Sequence, residues 1–215
     1  MGDYFEETKK KLEEQIPEYT SSDFRKIGDK IRKELKKEEA DLLILIRSLK
    51  ILVLGDWYTA EKKTMLVYVK NTLLKNGFYA ETIDKYYDIK QKGGLSQEQI
   101  LETCCINHQL IILIDGDGKG TITEQNYLRD NYIFHGKTIF FIEQNKFDTF
   151  KENPSEYIKD FPTIIVYKQD YLPETILIFS RLRLYRLAGI IKKQTLQKKG
   201  LHISKYQSWK RRLGY

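Results

Sequence analysis

The chain has 215 residues, of which 41% are apolar and 31% are charged, and its 37 lysines and arginines outnumber its 30 aspartates and glutamates. This composition is typical of one globular domain with appendages, and it excludes a disordered chain. Every apolar run falls short of the ~18 residues that a membrane-spanning helix needs, so we expect no membrane partner. The N-terminal segment lacks the apolar stretch of a secretory signal, and we expect a cytoplasmic protein.

The cysteines and histidines of the sequence form no metal-binding motif, and no cofactor motif is present. The only cysteines, Cys104 and Cys105, are adjacent, where a mutual disulfide would be strained, and the histidines lie far apart. Neither HExxH, nor a P-loop, nor GxSxG occurs. We therefore predict reduced cysteines on a helix, no metal and no resident cofactor.

Before the core, the sequence predicts a helical extension over residues 1–47. A short charged helix is expected over residues 3–15, ending before Pro17, and Ser21 or Ser22 is expected to cap a second helix. Four apolar residues of that second helix recur at steps of three and four: Phe24, Ile27, Ile31 and Leu35. Such a stripe is expected to pack against another surface, and a homodimer is one interpretation.

From residue 48 onward, short apolar runs alternate with helical patterns. LKILVLGD is typical of a buried parallel strand, and further strands are predicted at FYAETID, QLIILIDG, KTIFFIE and PTIIVYK. The helices predicted between them cover residues 59–76, 96–107, 121–135 and 148–160. Such alternation forces right-handed crossovers and a parallel sheet covered on both faces. We therefore predict a flavodoxin-like, doubly wound, five-stranded α/β core over residues 48–172.

Positive charge is concentrated after that core, in an extension over residues 173–215 for which a helix is favoured over a strand. Residues 181–215 hold eleven basic residues and no acidic one, so the first 180 residues carry a formal charge of about −4. Two explanations remain open: a solvated helix that balances the acidic body, or a surface for nucleic acid or another polyanion. The residues assigned to such a partner are Lys192, Lys193, Lys198, Lys199, Lys210, Arg211 and Arg212.

In a doubly wound sheet, ligands lie beyond the carboxyl ends of the strands, where the strand order reverses. The loops that meet this condition cover residues 55–58, 84–94, 115–124 and 143–147. The predicted ligand-binding residues are Gly55, Asp56, Trp57, Asp84, Gly116, Asp117, Gly118, Gly120 and Thr121. The glycines are expected to let backbone amides approach a ligand at a helix N-terminus, which favours anionic groups. For Asp84, an ordinary exposed loop is the alternative.

The stretch DGDGKGTITE allows two interpretations. It resembles the calcium loop of an EF-hand over residues 115–126, but Lys119 and Asn126 stand where that loop needs oxygen ligands, so calcium is the weaker alternative. The other interpretation is a strand, a loop and a helix, with Glu124 in the first turn, where the helix dipole favours its ionised form. A carboxylate held there can attack an anomeric carbon, although simple capping of the helix is the alternative.

The spans LKILVLGDWY and QLIILIDGDGKGTITEQNYLRDNYIFHGKTIFFIE resemble the nucleoside 2-deoxyribosyltransferase-like superfamily. In that group an Asp ends the third strand, a small-residue loop leads to a helix with a Glu, and a Gly-Lys pair precedes the next strand. The matching positions are Asp115, Gly120, Glu124 and the pair Gly136-Lys137. Toll/interleukin-1 receptor-type domains that cleave NAD and nucleotide-sensing Rossmann-like domains share the general layout.

The resemblance implies that Glu124 is the nucleophile on the ribosyl carbon, that Asp115 contacts the sugar or the base, and that Tyr58 donates a hydroxyl near a carboxylate. The expected ligand is a nucleoside, a nucleotide or an NAD-like molecule, with cleavage or transfer at its N-glycosidic bond. The alternative is a non-catalytic module that senses a nucleotide or binds nucleic acid through the basic C-terminal residues.

Overall fold

A computed structural model describes residues 22–90, 94–152 and 161–198, together with residue 11. The chain divides into two compact units, Met1–Ile44 and Leu45–Tyr215, whereas the sequence pattern placed this boundary after residue 47. Helix α1 (Ser22–Ser48) accounts for most of the described part of the first unit. The short helix predicted over residues 3–15 lies outside the described residues, apart from residue 11.

Three residues of the apolar stripe of α1 are not buried. Ile27, Ile31 and Leu35 are 57%, 39% and 57% exposed, so the expected packing of this face is not found among the described residues. The described part of the first unit consists of one helix and residue 11, and it provides no second element to cover the stripe. Helix α1 stops at Ser48, one residue beyond the predicted helical extension, and the Ser48 hydroxyl donates to the Leu45 carbonyl at 2.7 Å.

The second unit is built on one sheet of parallel strands in the order β2-β1-β3-β4-β5. The strands are β1 (Lys50–Leu54), β2 (Tyr79–Thr82), β3 (Leu110–Ile114), β4 (Thr138–Glu143) and β5 (Ile164–Tyr167). Leu52 of β1 lies opposite Glu81 on one side and Ile111 on the other. The predicted flavodoxin-like, five-stranded, doubly wound α/β fold is confirmed. The strand order reverses between β1 and β3, which places a crevice at their carboxyl ends.

The helices of this unit are α2 (Ala60–Lys75), α3 (Asp84–Lys90), α4 (Gln97–Asn107), α5 (Lys119–Asp130), α6 (Gln144–Glu152) and α7 (Leu172–Lys198), with 3-10 turns at Tyr132–Lys137 and Gln169–Tyr171. The helix favoured for the C-terminal segment is therefore confirmed as far as Lys198. Helix α7 packs against α2 and β3, so this segment belongs to the α/β unit. No described helix combines the length and the apolar character needed to cross a membrane.

Local signals set the ends of two helices where the sequence predicted them. The Thr59 hydroxyl accepts from the Lys62 amide at the start of α2, and Gly77 follows the end of that helix with a φ of +82°. This left-handed conformation is one that glycine adopts without a steric penalty. Ser96 caps α4 in a reciprocal arrangement with Gln99, in which each side chain accepts from the other residue's amide.

One predicted loop is a helix instead. Residues 84–90 form α3, which begins immediately after the edge strand β2. The Ile83 carbonyl accepts from the amides of Tyr86 and Tyr87, and the side chains of Lys85 and Tyr86 donate to the Glu81 carboxylate. These contacts join residues three to five apart across the junction of β2 and α3, and they hold a polar segment that the sequence pattern alone assigned to a loop.

Two other predicted boundaries also differ. Helix α6 starts at Gln144, directly after β4, rather than at residue 148, so the predicted 143–147 loop is largely helical. The helix predicted over residues 121–135 ends at Asp130, and a 3-10 turn follows. Asn131 ends α5 by donating its side-chain amide to the Tyr127 carbonyl at 2.7 Å.

Successive residues of a strand face opposite sides of the sheet, so the sheet has two apolar faces. Helices cover both of them. Leu113 and Phe140 pack on one face with the buried thiols of Cys104 and Cys105 from α4. On the other face, Phe141 contacts Phe179 of α7 with ring centroids 6.4 Å apart. Both cysteines are free, as predicted, and burial raises the pKa of Cys105 to about 12.

Candidate functional site

A cavity of about 720 Å³ opens at the carboxyl end of the sheet, between the loops that follow β1 and β3 and the helices α3, α4 and α5. We call it the principal cavity. Its lining residues are Gly55, Asp56, Trp57, Tyr58, Asp84, Tyr87, Gln97, Asp117, Gly118, Lys119, Gly120, Thr121 and Glu124. The cavity therefore lies at the point where the strand order reverses, which is where a doubly wound sheet binds its ligands.

The principal cavity brings together most of the residues that the sequence predicted. Every predicted ligand-binding residue lines it except Gly116, and so do two of the three predicted catalytic residues, Glu124 and Tyr58. Asp115 and Gly116 line a second cavity instead.

Three lining residues were missed by the sequence analysis: Tyr87, Gln97 and Lys119. Gln97 is the second residue of the helix predicted over residues 96–107, so its position at a helix N-terminus was a usable signal. Tyr87 belongs to a segment assigned to a loop, and Lys119 was considered only as a departure from a calcium loop.

Glu124 lies at the inner end of the principal cavity and is only 4% exposed. Its carboxyl accepts a hydrogen bond from the Gly55 amide, and Oε2 has no hydrogen-bond partner among the described residues. Burial raises the pKa of Glu124 to about 8, the hydrogen bond from Gly55 opposes this shift, and the negative charge of Asp56 adds to it.

Two expectations for Glu124 are therefore wrong. Because α5 begins at Lys119, Glu124 lies in the second turn of that helix and not in the first. The carboxyl is also mostly neutral at pH 7 rather than ionised, because desolvation outweighs the favourable interaction with the helix dipole.

Asp56 packs closely against the loop that leads into α5. It is 5% exposed, and its Oδ1 accepts from the Tyr58 amide at 2.8 Å. A Cβ built on Gly116 would lie 2.6 Å from the Asp56 Cβ, and one on Gly118 would lie 2.7 Å from Asp56 Oδ1. These two glycines thus make room for Asp56, whereas a Cβ on Gly120 meets nothing within 4 Å among the described residues.

Asp115 ties three strands together. Its Oδ1 accepts from the Tyr167 hydroxyl at 2.8 Å and from the Glu143 amide at 3.2 Å, while Lys146 Nζ lies 3.3 Å from Oδ2. Burial and the Asp115 charge raise the pKa of Tyr167. The second cavity that Asp115 lines has a volume of about 330 Å³. The structure therefore does not bring Asp115 and Glu124 into one cavity.

The stretch after β3 differs from an EF-hand loop. A strand precedes it, and Lys146 Nζ pairs with both aspartates of the loop, at 3.3 Å from Asp115 Oδ2 and 2.8 Å from Asp117 Oδ1. Within the described ranges, no group of three or more histidine, cysteine, aspartate and glutamate side chains is placed to hold a metal ion.

Aromatic side chains form much of the remaining wall. Trp57 is partly buried, and its Nε1 has no hydrogen-bond partner in the described part of the chain. Tyr58 is 90% exposed at the rim, while Tyr87 is partly buried. Burial raises the pKa of Tyr87, and the charge of Glu124 adds to that shift. These rings offer faces for stacking and one unused indole donor.

The remaining predicted residues lie away from the principal cavity or outside the described chain. Lys192 and Lys193 lie on α7. Lys198 is the last residue of that helix, and its side chain is not among those described. Lys199, Lys210, Arg211 and Arg212 lie outside the described residues. Lys137 of the Gly-Lys pair donates to the carbonyls of Cys105 and His108, which satisfies the C-terminal end of α4.

The principal cavity thus combines a neutral buried carboxyl, a second buried carboxyl, aromatic walls and the N-terminus of α5. Neighbouring carboxyl groups in unlike environments are suited to acid–base or nucleophilic chemistry. No protein-family model matches this chain, and no curated protein matches it significantly.

Proposed function

We propose that the chain binds a nucleoside or nucleotide in the principal cavity and cleaves or transfers at its N-glycosidic bond, with Glu124 as the nucleophile. The observation that carries the proposal is the buried carboxyl of Glu124, whose Oε2 lacks a partner among the described residues and which lines a cavity of about 720 Å³. A volume of this size is within the range of sites for small molecules. The resemblance to nucleoside 2-deoxyribosyltransferase-like proteins supports the same chemistry.

In this mechanism, the ionised Glu124 attacks the anomeric carbon of the bound ribosyl group. The carbon–nitrogen bond breaks, and its electron pair leaves with the base, which takes up a proton. Water or a second base then attacks the same carbon and releases the carboxylate. Positive charge develops on the sugar in both steps, so the neighbouring carboxyl of Asp56 stabilises the transition state electrostatically.

The walls of the principal cavity have groups that suit the leaving base. Trp57, Tyr58 and Tyr87 supply aromatic faces, and base–aromatic stacking is favourable with every nucleobase. Asp84 and Gln97 supply an acceptor and an amide that can hydrogen-bond to the edge of a base.

The experiment that tests the proposal is incubation with nucleosides, deoxynucleosides, nucleoside monophosphates and NAD, with free base measured by chromatography. We expect free base from the parent protein and a loss of at least about a hundredfold in Glu124→Gln, which keeps the shape of the side chain. Glu102→Gln is the matched control, since it makes the same chemical change at an exposed residue of α4 outside the cavity lining. Equal activity in the parent and Glu124→Gln would remove Glu124 from the mechanism.

Binding without turnover is the second candidate function, and the neutral state of Glu124 favours it. A protonated carboxyl donates a hydrogen bond to a ligand and does not attack carbon. In that case a nucleotide raises the melting temperature, no free base forms, and Glu124→Gln still binds. The same panel therefore separates the two functions.

Nucleic-acid binding by the basic C-terminal residues is a separate proposal. Its support is the sequence, since residues 181–215 carry eleven basic residues and no acidic one. Removal of residues 199–215 is expected to weaken the affinity for a DNA or RNA oligonucleotide and to reduce its salt dependence. Unchanged affinity and salt dependence would reject this role.

A further inference from the structure

Helix α7 is apolar on two sides, and the described residues cover only one of them. On the covered side α7 packs against α2 and β3, and the residues there are fully buried: Leu172, Ile176, Leu184 and Ala188. On the opposite side, Ile178 and Leu182 are 57% and 63% exposed. A helix that is apolar all round is normally buried all round. We propose that the exposed side of α7 is the interface of a homodimer, in which the α7 helices of two copies pack antiparallel. This inference is independent of the proposed function.

The exposed side of α7 has the spacing of a coiled-coil seam. Its residues recur at alternating steps of three and four, and we call them the outer face of α7: Thr175, Ile178, Leu182, Tyr185 and Gly189. Tyr185 is 41% exposed, and Gly189 is exposed as well. Apolar residues at this spacing let one helix pack along a second helix at a shallow angle. The outer face therefore suits a helix of a second copy.

The charges beside the outer face are separated along the helix, and this separation selects the antiparallel orientation. Glu174 lies at the start of α7, Arg181 and Arg186 lie further along, and all three are exposed. A parallel pair of copies would place like charges opposite each other. In an antiparallel pair, two-fold symmetry places Glu174 of each copy opposite Arg181 of the other, because the two residues are seven apart and lie on the same side of the outer face.

A cavity beside the start of α7 is consistent with this register. It has a volume of about 520 Å³, lies between α2 and the residues around the start of α7, and is lined in part by Tyr68 and Asp170. Counted along antiparallel helices from the two ion pairs, Tyr185 and Arg186 of the second copy lie next to this cavity. Tyr68 is 55% exposed and offers a ring to Tyr185, while the exposed carboxylate of Asp170 offers a partner to Arg186.

The oligomeric state of the full chain tests the proposal. We expect sedimentation equilibrium to give a dimer with a dissociation constant below about 100 μM, as a modest protein–protein interface does. The melting temperature should rise with protein concentration, because dimerisation stabilises the folded chain. A chain that remains monomeric at about 100 μM would overturn the proposal without the use of a variant.

A charge at the centre of the outer face locates the interface. Ile178→Glu should weaken dimerisation at least about thirtyfold, because it places a carboxylate in the apolar contact. Ile106→Glu is the matched control, since Ile106 is an isoleucine of α4 with nearly the same exposure, 59% against 57%. It should leave the dimer unchanged, and circular dichroism checks that both variants fold. A dimer that survives Ile178→Glu, or that Ile106→Glu weakens equally, would reject the outer face as the interface.

Charge reversal tests the antiparallel arrangement separately. Glu174→Arg and Arg181→Glu should each weaken the dimer about five- to tenfold, because each change places like charges opposite each other twice. The double variant should recover most of the lost affinity, since both ion pairs form again with exchanged signs. Two weakened single variants without recovery in the double variant would overturn the arrangement.

Two other occupants of the exposed surfaces would give different results, and both would overturn the proposal. Binding of a monomeric chain to phosphatidylserine vesicles, lost in Ile178→Glu, would assign the outer face to a membrane surface. The acidic side chains of Asp170 and Glu174 at one end of that face oppose such a surface. A dimer that is broken by Leu35→Glu in α1 and kept in Ile178→Glu would assign the interface to the stripe of α1.

Discussion

The protonation of Glu124 couples the principal cavity to the stability of the fold. The pKa of this carboxyl is about 8 in the folded chain, against 4.5 for an exposed glutamate. The unfolded chain therefore loses this proton first, and the free energy of unfolding falls as pH rises from about 4.5 to about 8. We expect the melting temperature of the parent to fall more than that of Glu124→Gln between pH 5 and pH 9. Parallel curves for the two proteins would contradict the raised pKa, and Glu102→Gln should follow the parent.

The same pKa makes a kinetic prediction. If Glu124 is the nucleophile, kcat/KM should rise with pH about tenfold per unit below the pKa and level off above about pH 8, because the attacking form is the carboxylate. A fall in kcat/KM above pH 8 would instead identify Glu124 as a proton donor. Glu102→Gln should reproduce the profile of the parent.

Alanine substitutions at Gly118 and Gly120 form a matched pair that tests the contact between Asp56 and the loop before α5. Alanine at residue 118 would place its Cβ 2.7 Å from Asp56 Oδ1, while alanine at residue 120 has open space around it. We expect Gly118→Ala to lower the free energy of unfolding by about 1–3 kcal/mol, as overpacking does. Gly120→Ala should be neutral or slightly stabilising, because alanine is favoured inside a helix. Urea denaturation measures both, and equal effects would show that Asp56 does not require Gly118.

At the scale of elements, Glu81 links the edge strand β2 to helix α3. Its carboxylate is 7% exposed and accepts from the side chains of Lys85, Tyr86 and Tyr79. Burial opposes ionisation, but these donors outweigh it and lower the pKa of Glu81 to about 2.

A carboxyl with a lowered pKa stabilises the fold above its unfolded pKa of about 4.5, and the contribution is lost as pH falls towards 2. Glu81→Gln should therefore cost about 1–3 kcal/mol at pH 7, because charged hydrogen bonds are lost. The difference from the parent should shrink at pH 3. Urea titrations at the two pH values provide the comparison, and a difference independent of pH would show that the charge of Glu81 contributes nothing.

The strands were predictable because a parallel strand buried on both faces is a short continuous apolar run, and β3 is completely buried. The helix ends at Ser96 and Gly77 were predictable because capping depends on local chemistry. Helix α3 was not, since it begins at Asp84 directly after Ile83, which is not a capping residue, and its contacts with Glu81 reach back into the preceding strand.

The candidate site was also predictable only in part. The sheet topology predicted which loops line the principal cavity, and the motif in the loop after β3 indicated Glu124. The neutral state of that carboxyl was not predictable, because it depends on burial beneath the Gly55 loop and on the charge of Asp56.

For the whole molecule, the sheet order predicts a gradient of local stability. Strand β3 pairs with both β1 and β4 at the centre, whereas β2 and β5 each pair with one neighbour. We expect the amides of β1, β3 and β4 to exchange with deuterium only through global unfolding, and those of β2 and β5 to exchange through smaller openings. Mass-spectrometric hydrogen exchange resolves this order. Faster exchange in β3 than in β2 would be incompatible with the topology.

The buried thiols of Cys104 and Cys105 have a practical consequence. They are the only cysteines of the chain, they lie at 1% and 0% exposure, and burial raises the pKa of Cys105 to about 12. Alkylating reagents react with thiolates, so we expect the two buried thiols of the folded chain to react with them very slowly. The rate at which a disulfide reagent labels the native protein therefore measures how often the layer between α4 and the sheet opens. The two native cysteines therefore report on this opening, and no probe has to be introduced.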